Sequence, residues 1–137
     1  MPFEEIPHTA DWSLRVWAAT LVDLFLEAAR GMNAQAGIRL AEQPRVKRTF
    51  SASAFDAESL LVSFLSELVY YAEHDRLAFD KIDLDLEHEN GKPYQLQATL
   101  NGATLLSLEK AIKAVTFHNL QIRKTNRGVE VEIVFDV

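Results

Sequence analysis

An α+β sandwich with two main helices is the fold class the sequence predicts, and three observations predict it. Apolar residues alternate with polar ones in several short runs, the two-residue period of half-buried strands. Two segments switch to helical spacing, around Leu21–Met32 and Leu60–Ala72. Strands fall in pairs separated by single helices, which favours a sandwich of mostly antiparallel strands over a doubly wound parallel sheet.

The first strand is read from Trp12. Trp12, Leu14, Val16 and Ala18 alternate with Ser13, Arg15, Trp17 and Ala19. Thr20 followed by Asp23 resembles a capping box. Leu21, Leu24, Phe25, Ala28, Ala29 and Met32 then recur at helical spacing until Gly31 and Asn33 punctuate the pattern. From Val46 to Ala52 the alternation returns, with Arg48 as the polar intruder on the apolar face. Asp56 is placed to cap a second helix, whose stripe of Leu60, Leu61, Phe64, Leu65, Leu68, Val69 and Ala72 is broad.

Ile82, Leu84 and Leu86 answer Tyr94, Leu96, Ala98 and Leu100 across Asn90-Gly91, a pair suited to the left-handed dihedrals of a tight hairpin. The second of these strands is read as far as Leu100, ahead of Asn101-Gly102. Beyond it, ATLLSLEKAIKAVTFH mixes helix-forming composition with the alternation of Ala111–Phe117, and a strand is expected from about Ala111, continued by Leu120 and Ile122. Asn126-Arg127-Gly128 reads as a turn. Val129, Val131, Ile133 and Phe135 then form a last strand, with Glu130, Glu132 and Val134 opposite.

Composition narrows the function classes. At 137 residues and 15.5 kDa, one domain spanning residues 1–137 is expected. The absence of cysteine excludes disulfides, thiolate metal sites and thiol nucleophiles, and suits a reducing cytoplasm. The start MPFEEIPH lacks the basic residues of a signal peptide, and no apolar run approaches membrane-spanning length, so no membrane role is expected. Fourteen basic residues against twenty acidic ones give a net charge of −6, which excludes coating nucleic acid by a general positive field. The one basic cluster, RVKR at Arg45–Arg48, reads as a solvated strand edge.

Candidate chemistry concentrates at three places. Asp136 and Val137 would set a side-chain carboxylate beside the terminal one, and if Asp11 approached them three carboxylates would converge. Such a cluster needs a cation, and calcium or magnesium suits an all-oxygen set. Spacing alone leaves this open against a plainer reading, in which Asp11 caps a turn and Asp136 is solvated. His8 and His118 are candidate acids, bases or ligands, set against the commoner role of a satisfied structural histidine. His74 ends a helix where a cation suits the dipole, and His88 approaches a hairpin turn. Lys113, between Ile112 and Ala114, is either an edge charge or a placed cation. No nucleophile elbow, phosphate loop or dinucleotide fingerprint occurs.

Three patches taken together, HTAD at His8–Asp11, IKAVTFH at Ile112–His118 and VFDV at Val134–Val137, resemble the archease family, as do the helices TLVDLFLEAARGM from Thr20 and LLVSFLSELVYY from Leu60. The resemblance runs in order along nearly the whole chain. It implies a cytoplasmic accessory protein, not itself an enzyme, that activates the RtcB-type RNA ligase of tRNA splicing. Such proteins promote guanylylation and repeated turnover of the ligase and broaden its use of nucleotide triphosphates. It also implies a divalent cation, calcium first with magnesium or manganese as alternatives, bound by Asp11, Asp136 and Val137. Lys113 matches the family's KAVT lysine, and it joins His8 and His118 as residues expected to serve ligase activation; no direct contact with nucleic acid is implied. The competing expectation is a metal-dependent phosphoester hydrolase using His8, Asp11 and His118.

Overall fold

The computed structural model describes residue 2, residues 3–6 and residues 12–137; His8, Thr9, Ala10 and Asp11 lie outside the described residues. Nine strands are described: β1 Phe3–Ile6, β2 Trp12–Ala18, β3 Arg39–Leu40, β4 Val46–Ala54, β5 Leu77–Glu87, β6 Tyr94–Ser107, β7 Ala114–Val115, β8 Arg123–Thr125 and β9 Gly128–Asp136. The helices are α1 Leu21–Ala36 and α2 Ala57–Tyr70, the latter running into a π-helical turn at Tyr71–Asp75.

Every described pairing is antiparallel. One sheet runs β1-β2-β9-β7, with β8 also on β9; in the other, β6 pairs with β3, β4 and β5. Both helices touch both sheets, α1 through β2 and β5, α2 through β4, β6 and β7. That placement explains why α2 buries Leu60, Leu61, Val62, Phe64, Leu65, Leu68 and Val69, more than one stripe. Leu14, Val16, Ile133 and Phe135 from the first sheet share a core with Leu96 and Leu100 from the second, and Phe25 stacks on Phe64 between the helices.

Helix starts follow the sequence. The Thr20 hydroxyl accepts from the Asp23 N–H at 3.1 Å, and Asp56 accepts from the Ser59 N–H at 2.7 Å. The end of α1 does not. Gly31 and Asn33 lie inside the helix, which stops at Gly37 in the left-handed conformation. Gly31 is there for packing: a Cβ on it would sit 2.7 Å from Leu14 Cδ2 on the neighbouring strand.

Three further expectations are corrected. Asn101-Gly102 does not break the chain; β6 runs through it to Ser107 and pairs Gly102 with Phe79 beside a bulge in β5. The hairpin at Asn90-Gly91 is wider than a two-residue turn. Residues 88–93 intervene between Glu87 and Tyr94, and Pro93 has no N–H to extend the ladder. The strand expected from Ala111 shrinks to Ala114–Val115, and Leu120 and Ile122 belong to a loop. β7 and β8 divide between them the edge of β9 that β2 leaves, in place of one longer strand.

The basic cluster sits as expected: β4 pairs only with β6 among the described strands, and Arg48 is exposed. Arg45, just ahead of β4, reaches over β6 to hold Asp80, the bulged residue of β5, at 2.6 Å, and also donates to Asn101 Oδ1. This bond, chiefly, holds the Asp80 carboxyl below its ordinary pKa.

Candidate functional site where three chain segments meet

Strand pairing brings distant parts of the sequence to one end of the first sheet. Trp12, the residue that follows HTAD, lies opposite Phe135 in β9. On the other edge of β9, Ala114 lies opposite Asp136 and Val115 opposite Phe135. The Lys113 N–H donates to the Asp136 carbonyl at 2.8 Å, and the Thr116 N–H donates to the Val134 carbonyl at 3.0 Å. Phe135 is therefore flanked by Val115 of the IKAVTFH patch and by Trp12, the residue after HTAD, and it is fully buried.

The side chains divide by face. Val131, Ile133 and Phe135 point into the core, as the alternation predicts. Val134 is buried too, opposite Ser13, and the Thr116 hydroxyl donates to its carbonyl at 3.0 Å. Sequence alternation assigned Val134 to the polar face because nothing local signals that the outer side of the sheet is covered here. Ser13 is fully buried, and its Oγ has no hydrogen-bond partner among the described residues.

The expected site residues are distributed as follows. Asp136 is exposed at the last position of β9, and Val137 is half-buried against the core. Lys113 is exposed on the segment entering β7. His118 is exposed in the loop beyond β7; its N–H donates to Thr116 Oγ1, and its Nε2 lies 3.3 Å from Asn119 Nδ2. His8 and Asp11 fall outside the described residues. Among the described residues no group of three potential ligands forms. Of the three expected metal donors, Asp136 and Val137 are described, adjacent at the end of β9. Asp136 enters no ion pair with a described residue.

His74 and His88 have plain structural roles. The His74 ring stacks on Tyr70 at 4.1 Å and His88 stacks on Tyr94 at 3.7 Å.

Two contacts that steady this end were not legible in the sequence. Glu58, in the first turn of α2, accepts from the Ile122 N–H at 2.9 Å and so ties the loop carrying His118 to the helix. Lys110 holds its ammonium 4.7 Å from the Trp12 ring. Each joins residues far apart in sequence, and spacing cannot report that.

Comparison with known proteins decides the family. The family model described as the archease protein family (MTH1598/TM1083) matches residues 3–137. The chain belongs to the archease family. The protein archease of Methanosarcina barkeri is 34% identical, over 98% of this chain and 95% of that one, and that of Methanopyrus kandleri is 30% identical over the full length of both. The fold agrees with the solution structure of Methanobacterium thermoautotrophicum protein 1598, at a TM-score of 0.78 and 24% identity over 99% of each chain. It agrees also with the crystal structure of a Thermotoga maritima archease, described as a possible chaperone, at 0.70 and 18% identity, covering 98% of this chain and 96% of that one. This archease has, among its described residues, no helix long and apolar enough to cross a membrane.

Proposed function

We propose that this archease is a non-catalytic accessory protein that activates an RtcB-type RNA ligase, promoting its guanylylation and repeated turnover and broadening its nucleotide triphosphate use. A divalent cation, calcium in the first instance, has Asp11, Asp136 and Val137 as its oxygen donors. The observation that carries this reading is the register at the end of the first sheet: Trp12 opposite Phe135 and Ala114 opposite Asp136. Trp12 directly follows HTAD in the sequence and Phe135 belongs to VFDV, so this register supports the reading. Membership of the archease family supports an accessory role.

The cation offsets repulsion among the carboxylates, which otherwise disfavours their approach. The residues of this chain do the rest. Asp136 is anchored through its own carbonyl by Lys113, so its carboxylate is presented from a fixed backbone. The net charge of −6 favours encounter with a basic face of the ligase, and that attraction weakens with salt. Lys113 and His118 lie on the segment along the edge of β9 and would contact the ligase; His8 is the third residue assigned to activation.

The deciding experiment measures guanylylation of a partner ligase with and without this protein. Stimulation is expected, and Asp11→Ala and Asp136→Ala should each abolish it while the circular dichroism spectrum is unchanged. Full stimulation by both variants would remove the cation from the account. Phosphoester turnover by the isolated protein, abolished by chelation, would favour a hydrolase using His8, Asp11 and His118. Calcium at about one hundred times its Kd should stabilise the wild-type fold by about 2.7 kcal/mol, and Asp136→Ala should lose that increment.

A further inference from the structure

A cavity of about 360 Å3 lies between α1, α2, β5, β6 and the segment leading into β7. It lies within the span of roughly 300–1,000 Å3 that encloses small ligands. Its wall is apolar, built chiefly from Met32, Leu68, Val69, Phe79, Leu105 and Ile112. The charged residues lining it are all exposed: Arg76, Lys110 and Lys113, with Glu73 as the single acid. Three cations against one acid at one opening is the reverse of the balance in the whole chain, where acids outnumber bases twenty to fourteen. None of the three cations forms an ion pair with a described residue.

The backbone at the rim is unusual as well. α2 passes into the π-helical turn Tyr71–Asp75, a geometry that is rare and frequent at functional sites. The turn ends at Arg76 with φ 52°, a left-handed conformation that disfavours any residue with a Cβ. The Arg76 carbonyl accepts from the Leu105 N–H at 2.7 Å, which pins the strained residue to β6. Glycine would fill this position with less strain, yet an arginine occupies it at the mouth of the cavity. A rare turn, a strained residue, a cationic rim and an apolar interior coincide.

We propose that this cavity binds a medium-chain aliphatic carboxylate, with its chain against the apolar wall and its head group between Arg76, Lys110 and Lys113. The arginine offers paired N–H donors to the carboxylate, and the two lysines add charge. The inference stands independently of ligase activation, and its test needs no ligase.

The test is an amide-resolved NMR titration of the whole protein with decanoate, decanol and decyltrimethylammonium, each below its micelle concentration. Saturable shifts are expected at Arg76, Leu108 and Ile112, with decanoate about tenfold tighter than decanol, the scale of a hydrogen bond to a charged partner, and the ammonium weakest. Arg76→Gly should fold with an unchanged or higher Tm, bind decanol as before and lose the preference for decanoate. Ala72→Leu, which fills the cavity wall, should weaken decanoate and decanol alike. No saturable shift, shifts centred elsewhere, an ammonium equal to decanoate, or an intact carboxylate preference in Arg76→Gly would each overturn the proposal.

Discussion

Substituting Gly102 with alanine tests a close backbone approach in the second sheet. A Cβ at this position would lie 1.9 Å from the Ala78 carbonyl oxygen, 2.7 Å from Phe79 Cα and 2.8 Å from Ala78 C. These are backbone atoms of β5, so no rotamer change relieves the clash. The strands must part by about 1 Å at the bulge that follows Phe79, where Arg45 holds Asp80. Overpacking of this kind costs about 1–3 kcal/mol, and one or two weakened ladder hydrogen bonds add roughly 0.5–1.5 kcal/mol each. A total near 3 kcal/mol follows. With an unfolding entropy of about 2.1 cal/mol/K per residue and 137 residues, Tm should fall by about 10 °C.

Urea denaturation and thermal melting of the two proteins measure the loss directly, and an unchanged m-value would locate the effect in stability. Gly91→Ala is the control. A Cβ there meets nothing within 4 Å, but φ is +80°, so only backbone strain of about 1–2 kcal/mol applies. If Gly102→Ala lost less than about 1 kcal/mol, or less than Gly91→Ala, the strands would not approach as described and the wall formed by Ala78 and Phe79 would need redrawing.

Glu58→Ala leaves the Ile122 N–H without its acceptor and should cost about 1–3 kcal/mol, with faster amide exchange confined to the loop carrying His118; exchange unchanged at Ile122 would show that the 2.9 Å contact does not hold the loop. Asp56→Ala removes the N-cap of α2 and should cost about 1 kcal/mol, read from the urea midpoint. The Asp80 carboxyl has a lowered pKa in the folded protein, so its link to Arg45 contributes stability above the ordinary value of 3.8, and that contribution disappears as pH falls through the lowered value. Asp80→Asn should accordingly melt below wild type at neutral pH and converge with it in strong acid; a difference that grew on acidification would reverse the sign of this argument.

The parts of this fold legible in the sequence are those where local pattern and burial agree. β2, the cap and body of α1, the stripe of α2 and the alternation of β9 all follow from which residues face one core. The misreadings share a cause. Gly31 and Gly102 looked like punctuation, yet each is small because another segment presses on it, Leu14 in one case and the β5 backbone in the other. Asn101-Gly102 has turn chemistry, but the long pairing of β6 with β4 and β5 outweighs local preference. The short β7 was read as long because its apolar residues serve two surfaces: Val115 enters the core while Ile112 lines the cavity. The sequence singled out Lys113 and Asp136 as candidates without revealing that they are joined through the backbone, since 22 residues of intervening chain carry no trace of an antiparallel pairing.

That joint makes the segment from Lys110 to Lys113 common to both sites. Lys110 and Lys113 line the cavity; Lys110 also sits over Trp12, and the Lys113 N–H holds the Asp136 carbonyl. A carboxylate drawn toward the two ammonium groups competes with the Trp12 ring for Lys110, and Trp12 is bonded directly to Asp11. A cation held as proposed by Asp136 would act on that same backbone, through the Asp136 carbonyl that accepts from the Lys113 N–H. If decanoate changes the affinity for calcium by some factor, calcium must change the affinity for decanoate by that same factor, because both are equilibrium bindings to one protein. The Lys113 N–H bond to the Asp136 carbonyl does not involve the Lys110 side chain, whereas the proposed carboxylate contact does. Lys110→Met should therefore lower decanoate affinity and any coupling together while leaving calcium binding in the absence of decanoate intact, a separation that a general loosening of this end of the sheet would not produce.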